Sequence, residues 1–98
     1  MTINRTVEGT SLTLALEGRL DTTTAPQLDA EIKNSLKGVT QLTIDMEKLV
    51  YLSSAGLRVI LAAQKKMNRQ GKMLIRNVCD TIMEVFEVTG FTDILTIV

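Results

Sequence analysis

The sequence predicts a small α/β domain built on a mixed, largely parallel sheet, with an N-terminal hairpin and crossover helices. Three observations carry this. Leu12, Leu14 and Leu16, and again Leu42, Ile44 and Met46, alternate with other residues at the period of a half-buried strand. Leu28, Ile32 and Leu36, then Leu57, Ile60, Leu61 and Met67, recur at helical spacing. Glycine and proline fall as punctuation between these periodic segments. Strands that alternate with single helices imply right-handed crossovers and parallel pairing, so the predicted order is β-β-α-β-α-β-α-β.

Each element has its own local signal. Ile3 to Val7 is short and β-like, and Glu8-Gly9-Thr10 is a turn that pairs it with the Leu12–Leu16 strand as a hairpin. Gly18 to Thr24 leads to Ala25-Pro26, and proline suits a first helical turn because its missing N–H would be unpaired there. Thr24 is the expected N-cap, Asp29 and Lys33 form an i,i+4 pair, and Gly38 is the expected terminator. A strand is expected from about Gln41 to Met46. The next helix is expected from Ser54 to about Arg69, with Lys65, Lys66 and Arg69 near its C-terminal end and Gly71 as stop. Met73 to Arg76 reads as a short strand. Asp80 is the expected cap of a helix with Ile82, Val85 and Phe86 inward and Gly90 at its end, and Ile94 to Val98 is the expected last strand.

Composition then narrows the functions. The chain has 98 residues, 45% hydrophobic and 22% charged, which suits one globular domain over residues 1–98. Eleven basic residues balance eleven acidic ones, so no global field favours nucleic acid or an anionic membrane. Histidine is absent, which removes the usual general base of nucleophilic catalysis and the commonest metal ligand. The single cysteine, Cys79, reads as a free buried thiol in a reducing compartment. The N-terminus carries no apolar h-region and no apolar run reaches the roughly 18 residues of a membrane span, so a cytoplasmic protein is expected. No cofactor, metal site or catalytic residue is expected. Gly71-Lys72 lacks the spacing of a phosphate-binding loop, and Ser53 and Ser54 lack the frame of a nucleophile elbow. Asp21 and Asp45 are the carboxylates that could still converge in space.

One segment is left, Leu49 to Arg58, where Ser53 and Ser54 stand between a strand and a helix. A helix start offers unpaired N–H groups and about half a positive charge. Two readings stand at this point. One serine is a plain N-cap, worth about 1 kcal/mol. Alternatively the site is a phosphorylation switch, since a phosphate brings about −1.5 to −2 charges to amides already poised to meet it. Arg58 on the helix and Asp21 in the turn are candidate contacts that could equally be a solvated side chain and a turn residue. Tyr51 and Leu52 read as core or near-core positions.

The run Asp45 to Leu61, which contains Leu52-Ser53-Ser54-Ala55-Gly56-Leu57-Arg58, resembles the signature of STAS domains and is closest to the anti-sigma factor antagonists. Gly18-Arg19-Leu20-Asp21-Thr22-Thr23-Thr24-Ala25-Pro26 resembles that family's turn into its first helix, and Val85 to Val98 its last helix and strand. The resemblance covers nearly the whole chain. It implies that the phosphate acceptor is the residue two before the glycine, Ser54, with Ser53 as second choice. Ser53 stands where the family often has aspartate, and Ala55 where other members have serine. The resemblance further implies a partner-switching cycle. The unphosphorylated protein binds an anti-sigma factor that is also a serine/threonine kinase and frees a sigma factor; phosphorylation ends that binding; and a metal-dependent serine phosphatase restores it. The implied contact surface is Asp21, Thr22, Ser53, Ser54, Ala55, Gly56 and Arg58, on a monomer that is a substrate and binder and not an enzyme. A STAS scaffold or accessory module of another regulatory or transport assembly, or a small-ligand or lipid binder, is the alternative.

Overall fold

The computed structural model describes all residues, 1–98. Its strands are β1 (Thr2–Glu8), β2 (Ser11–Leu20), β3 (Gln41–Leu52) and β4 (Lys72–Arg76), and its helices α1 (Ala25–Ser35), α2 (Ser54–Gln70) and α3 (Asp80–Thr89). The sheet order is β1-β2-β3-β4, with β1 antiparallel to β2 and the rest parallel. The predicted mixed sheet with its hairpin is therefore the observed one. The chain steps from β2 through β4 in one direction, and right-handed crossovers then place α1 and α2 on the same face. Leu12, Leu14, Leu16, Leu42, Ile44, Met46, Met73 and Ile75 line that face and join Leu28, Ile32, Ile60, Met67, Ile82 and Phe86 in one core of 23 buried residues. The opposite face carries Thr13, Ala15, Glu17 and Asp45, all partly exposed.

The third strand is twice as long as its sequence pattern suggests. It starts at Gln41 but continues past Met46 to Leu52. The pairing with β2 slips twice, between Ala15 and Glu17 and between Gly18 and Arg19, and each slip adds a residue to β3. Beyond Met46 the buried positions are Leu49 and Leu52, a spacing of three that hides a bulged strand from any test of alternation. The second strand likewise runs on through Gly18 and Arg19 to Leu20.

The helix ends also differ from expectation. Thr24 occupies the N-cap position of α1, but its hydroxyl does not cap the helix. It accepts from the Asp21 amide at 2.9 Å and donates to the Arg19 carbonyl at 2.8 Å, closing the turn behind it instead. The C-cap is Leu36, two residues before Gly38. At its far end α2 does stop at Gly71, for a steric reason: a Cβ there would lie 1.9 Å from the Thr40 carbonyl oxygen. The adjoining Gln70 side chain donates to the Leu36 and Val39 carbonyls at 2.7 and 2.6 Å, tying the end of α2 to the end of α1.

The C-terminal third holds the remaining corrections. Cys79 is exposed, not buried. Asn77 adopts a left-handed conformation, φ 57°, and the turn it makes leaves half-buried Val78 nearer the core and Cys79 at the mouth of α3. Cys79 is thus the N-cap, and Asp80 is the first helical residue, an acid placed favourably in the first turn. Gly90 ends α3 in the left-handed conformation, as expected. The last strand reduces to a single bridge between Ile97 and Ile75. A 3₁₀ turn over Phe91–Asp93 uses up the preceding chain and stacks the Phe91 ring on Phe86, centroids 6.4 Å apart.

Candidate functional site

The parallel strands β2 and β3 end side by side, with Leu20 opposite Leu52. One step further the Ser53 amide donates to the Leu20 carbonyl at 2.9 Å, so the two exits are joined before either chain turns into its helix. Gly56 makes the next contact possible. A Cβ on it would stand 2.6 Å from Leu20 Cγ and 2.7 Å from Leu52 Cδ1, both on buried leucines. The first turn of α2 therefore sits on the ends of the two strands at a distance only glycine permits.

This packing gives the two serines different roles. Ser53 is extended, half-buried and the N-cap of α2, its hydroxyl accepting from the Gly56 amide at 3.4 Å. Ser54 is the first helical residue, and it is exposed. Its hydroxyl has no protein partner, and the amides of Ser54 and Ala55 have no backbone acceptor. Of the two serines, Ser53 is the plain cap and Ser54 carries the hydroxyl left free.

Asp21 organises the adjoining turn. One carboxylate oxygen accepts from the Thr23 hydroxyl at 2.7 Å, the Thr23 amide at 3.0 Å and the Thr24 amide at 3.2 Å. The Thr23 hydroxyl bond, aided by the two amides and by Thr24, holds the Asp21 carboxyl below the ordinary aspartate range. Its other oxygen lies 3.7 Å from Arg19 Nε, and the Arg19 guanidinium stacks over the Tyr51 ring 4.1 Å from its centroid. Tyr51 is therefore an exposed surface residue (41%), not a core one, whereas Leu52 is buried as expected. Asp45 does not converge with Asp21. It lies seven residues back along β3 from Leu52, roughly 20 Å at strand rise, and it accepts from the Glu47 amide and the Asn77 side chain, both at 3.0 Å.

Between the starts of α1 and α2 lies an open groove of about 400 Å³, lined by Thr22, Ala25, Pro26, Asp29, Ala55, Arg58, Val59 and Ala62. Of the residues singled out in the sequence, it brings Thr22, Ala55 and Arg58 onto one surface, with Asp21 and Ser54 adjoining them in the chain. Its α1 wall and the Arg19–Tyr51 stack escaped sequence reasoning. The signal for the stack is the parallel register that sets residue 19 opposite residue 51, and that register depends on bulges the alternation does not show. No helix is long and apolar enough to cross a membrane, and no three His, Cys, Asp or Glu side chains form a metal-binding group.

The fold and the site define a small α/β domain that offers a serine-bearing helix start at the exit of its parallel strands. Comparison with known proteins gives its family. The STAS domain model matches residues 2–98. BtrV of Bordetella bronchiseptica, named as an anti-sigma factor antagonist, is 35% identical over 88 residues, 88% of this chain and 76% of that one. The anti-sigma-B factor antagonist of Listeria monocytogenes is 32% identical over 83 residues, 82% of this chain and 72% of its own. Among solved structures, the unphosphorylated anti-sigma factor antagonist SpoIIAA aligns with a TM-score of 0.79 at 21% identity, over 99% of this chain and 87% of that one. A Thermotoga maritima protein aligns at 0.90 with 15% identity, over 97% and 84%. At such identities the two structures show the shared fold. This chain belongs to the STAS domain family, alongside its anti-sigma factor antagonists.

Two predictions test the site's construction. Gly56→Ala forces a methyl group into buried Leu20 and Leu52, and overpacking of this kind costs about 1–3 kcal/mol. Urea denaturation is expected to show that loss, and unchanged stability would contradict the packing. Asp21→Asn keeps an acceptor oxygen and removes the charge. A lowered native pKa stabilises above the unfolded value of about 3.9 and loses that contribution as pH falls through the native one. The stability gap between the two proteins is therefore expected to be full at pH 7 and to close in acid. A gap independent of pH would show that the carboxylate charge does not hold the turn.

Proposed function

We propose that this protein is an anti-sigma factor antagonist switched by phosphorylation of Ser54. The unmodified form binds an anti-sigma factor that is also a serine/threonine kinase, and a sigma factor is released from that partner. The kinase then moves the γ-phosphoryl group of ATP to Ser54 Oγ; the hydroxyl proton is lost and ADP leaves. The phosphorylated form dissociates, and a serine phosphatase returns Ser54 by transferring the phosphoryl group to water. The cycle runs in the cytoplasm, and this chain is its substrate and its binder.

The observation that carries this reading is the division of labour between the serines. Ser53 is engaged as a cap, while Ser54 presents a free, exposed hydroxyl at the first residue of a 17-residue helix. A phosphate there meets unpaired amides and the positive end of the helix, so the fold accommodates it. SpoIIAA supports the reading: it has been solved in phosphorylated as well as unphosphorylated form, and this chain aligns with both, at TM-scores of 0.77 and 0.79. The contact surface we assign is Asp21, Thr22, Ser53, Ser54, Ala55, Gly56 and Arg58. A modification of about two negative charges at its centre suffices to end binding, because each 1.4 kcal/mol lost is about tenfold in affinity.

The test is phosphorylation of the full chain by the cognate anti-sigma factor kinase with ATP, read by intact mass and peptide sequencing. One phosphate on Ser54 is expected, with none on Ser54→Ala and undiminished uptake by Ser53→Ala. Unchanged stoichiometry on Ser54→Ala overturns the assignment. Ser54→Asp is expected to weaken binding of the kinase while circular dichroism shows the native fold.

A further inference from the structure

The groove between the starts of α1 and α2 contains one cation, Arg58, and one acid, Asp29. Asp29 is already held by Lys33, 2.9 Å away and one turn along its own helix. Arg58 is exposed and makes no ion pair. It stands beside Ala25, Pro26 and Ala55, small side chains that leave room for a visitor. A free guanidinium over an apolar trough selects a segment carrying both apolar contact and a carboxylate, which its planar fork binds through two parallel bonds.

Arg58 also stands four residues after Ser54 on α2. Residues i and i+4 of a helix are surface neighbours, and the order with the anion nearer the N-terminus is the favourable one. A phosphate on Ser54 therefore has the same guanidinium within reach.

We propose that Arg58 is the shared anion receptor of the switch. In the unmodified protein it receives a carboxylate of the anti-sigma factor docked in the α1–α2 groove. In the phosphorylated protein it turns to the Ser54 phosphate of its own helix. The proposal rests on Ser54 being the acceptor and deepens that reading: the phosphate acts by occupying the cation the partner needs, beyond adding charge to the surface. Competition and simple repulsion differ in sign. If the phosphate only repelled the partner, losing Arg58 would leave it less neutralised, and the effect of phosphorylation would persist or grow. If it captures Arg58, the effect shrinks when Arg58 is absent.

The experiment uses the full chain with phosphoserine installed at position 54 by genetic encoding, so that no kinase reaction is needed. Four dissociation constants for the anti-sigma factor kinase are measured by calorimetry: unmodified and phosphorylated, each with Arg58 and with Arg58→Gln. Arg58→Gln is expected to weaken the unmodified complex about tenfold, as loss of a charge-assisted pair does. It is also expected to reduce the phosphorylation effect about tenfold, since the competing anion then has nothing to capture. Without any partner, ³¹P NMR titration is expected to show a higher second phosphate pKa in the Arg58→Gln protein. The proposal is overturned if Arg58→Gln leaves the unmodified affinity unchanged, if the phosphorylation effect is as large without Arg58 as with it, or if the two phosphate titrations coincide. Equal affinities of the phosphorylated and unmodified proteins with Arg58 present would instead overturn the Ser54 reading itself, and the competition with it.

Discussion

The site depends on how closely the first turn of α2 approaches the ends of β2 and β3. Gly56 lies against Leu20 and Leu52 with no space for a methyl group. Those leucines are in register across the parallel pair and buried at the edge of the core. Because the helix start is held there, the residue before it must turn in and cap, and the residue after the cap must face out. Ser53 and Ser54 take these two positions. The groove that holds Arg58 lies between this helix start and the start of α1. One steric requirement in the core thus decides which hydroxyl reaches solvent.

The polar network around this point contributes positioning more than stability. The Arg19–Asp21 pair is long at 3.7 Å and largely solvated, and exposed pairs of this kind add little. The Asp21 turn is different, since one carboxylate oxygen gathers the Thr23 and Thr24 donors and fixes the entry to α1. The core of 23 buried residues carries the fold and is the scaffold on which the loops at the ends of β2 and β3 present a surface. With equal numbers of acidic and basic residues in the chain, the one phosphate we propose would be a large electrostatic change at that surface.

Much of this was legible in the residues. Alternation at 12, 14 and 16 and at 42, 44 and 46 marks the central strands, and the 28-32-36 and 57-60-67 stripes mark the two helices between them. The serine pair at a helix start was visible as well. What could not be read follows from tertiary effects. Two bulges convert the end of β3 to a spacing of three, which conceals its true length and with it the exposed Arg19–Tyr51 stack. The Thr24 hydroxyl has two competing uses, a helix cap and a turn bond, and only the position of the Arg19 carbonyl decides between them. Cys79 is a residue type that is usually buried, yet the chain turns left-handed at Asn77 and leaves it at the surface. The division of roles between Ser53 and Ser54 needed the position of Gly56 relative to the strand ends.

The central claim is that the partner docks on the ends of β2 and β3 and the starts of α1 and α2. Amide hydrogen exchange of the full chain, free and bound to its anti-sigma factor, tests it most directly. Binding is expected to slow exchange at Asp21–Ala25 and Ser53–Val59 while leaving β1 and α3 unchanged. Protection confined to α3 or to the uncovered face of the sheet would contradict the account.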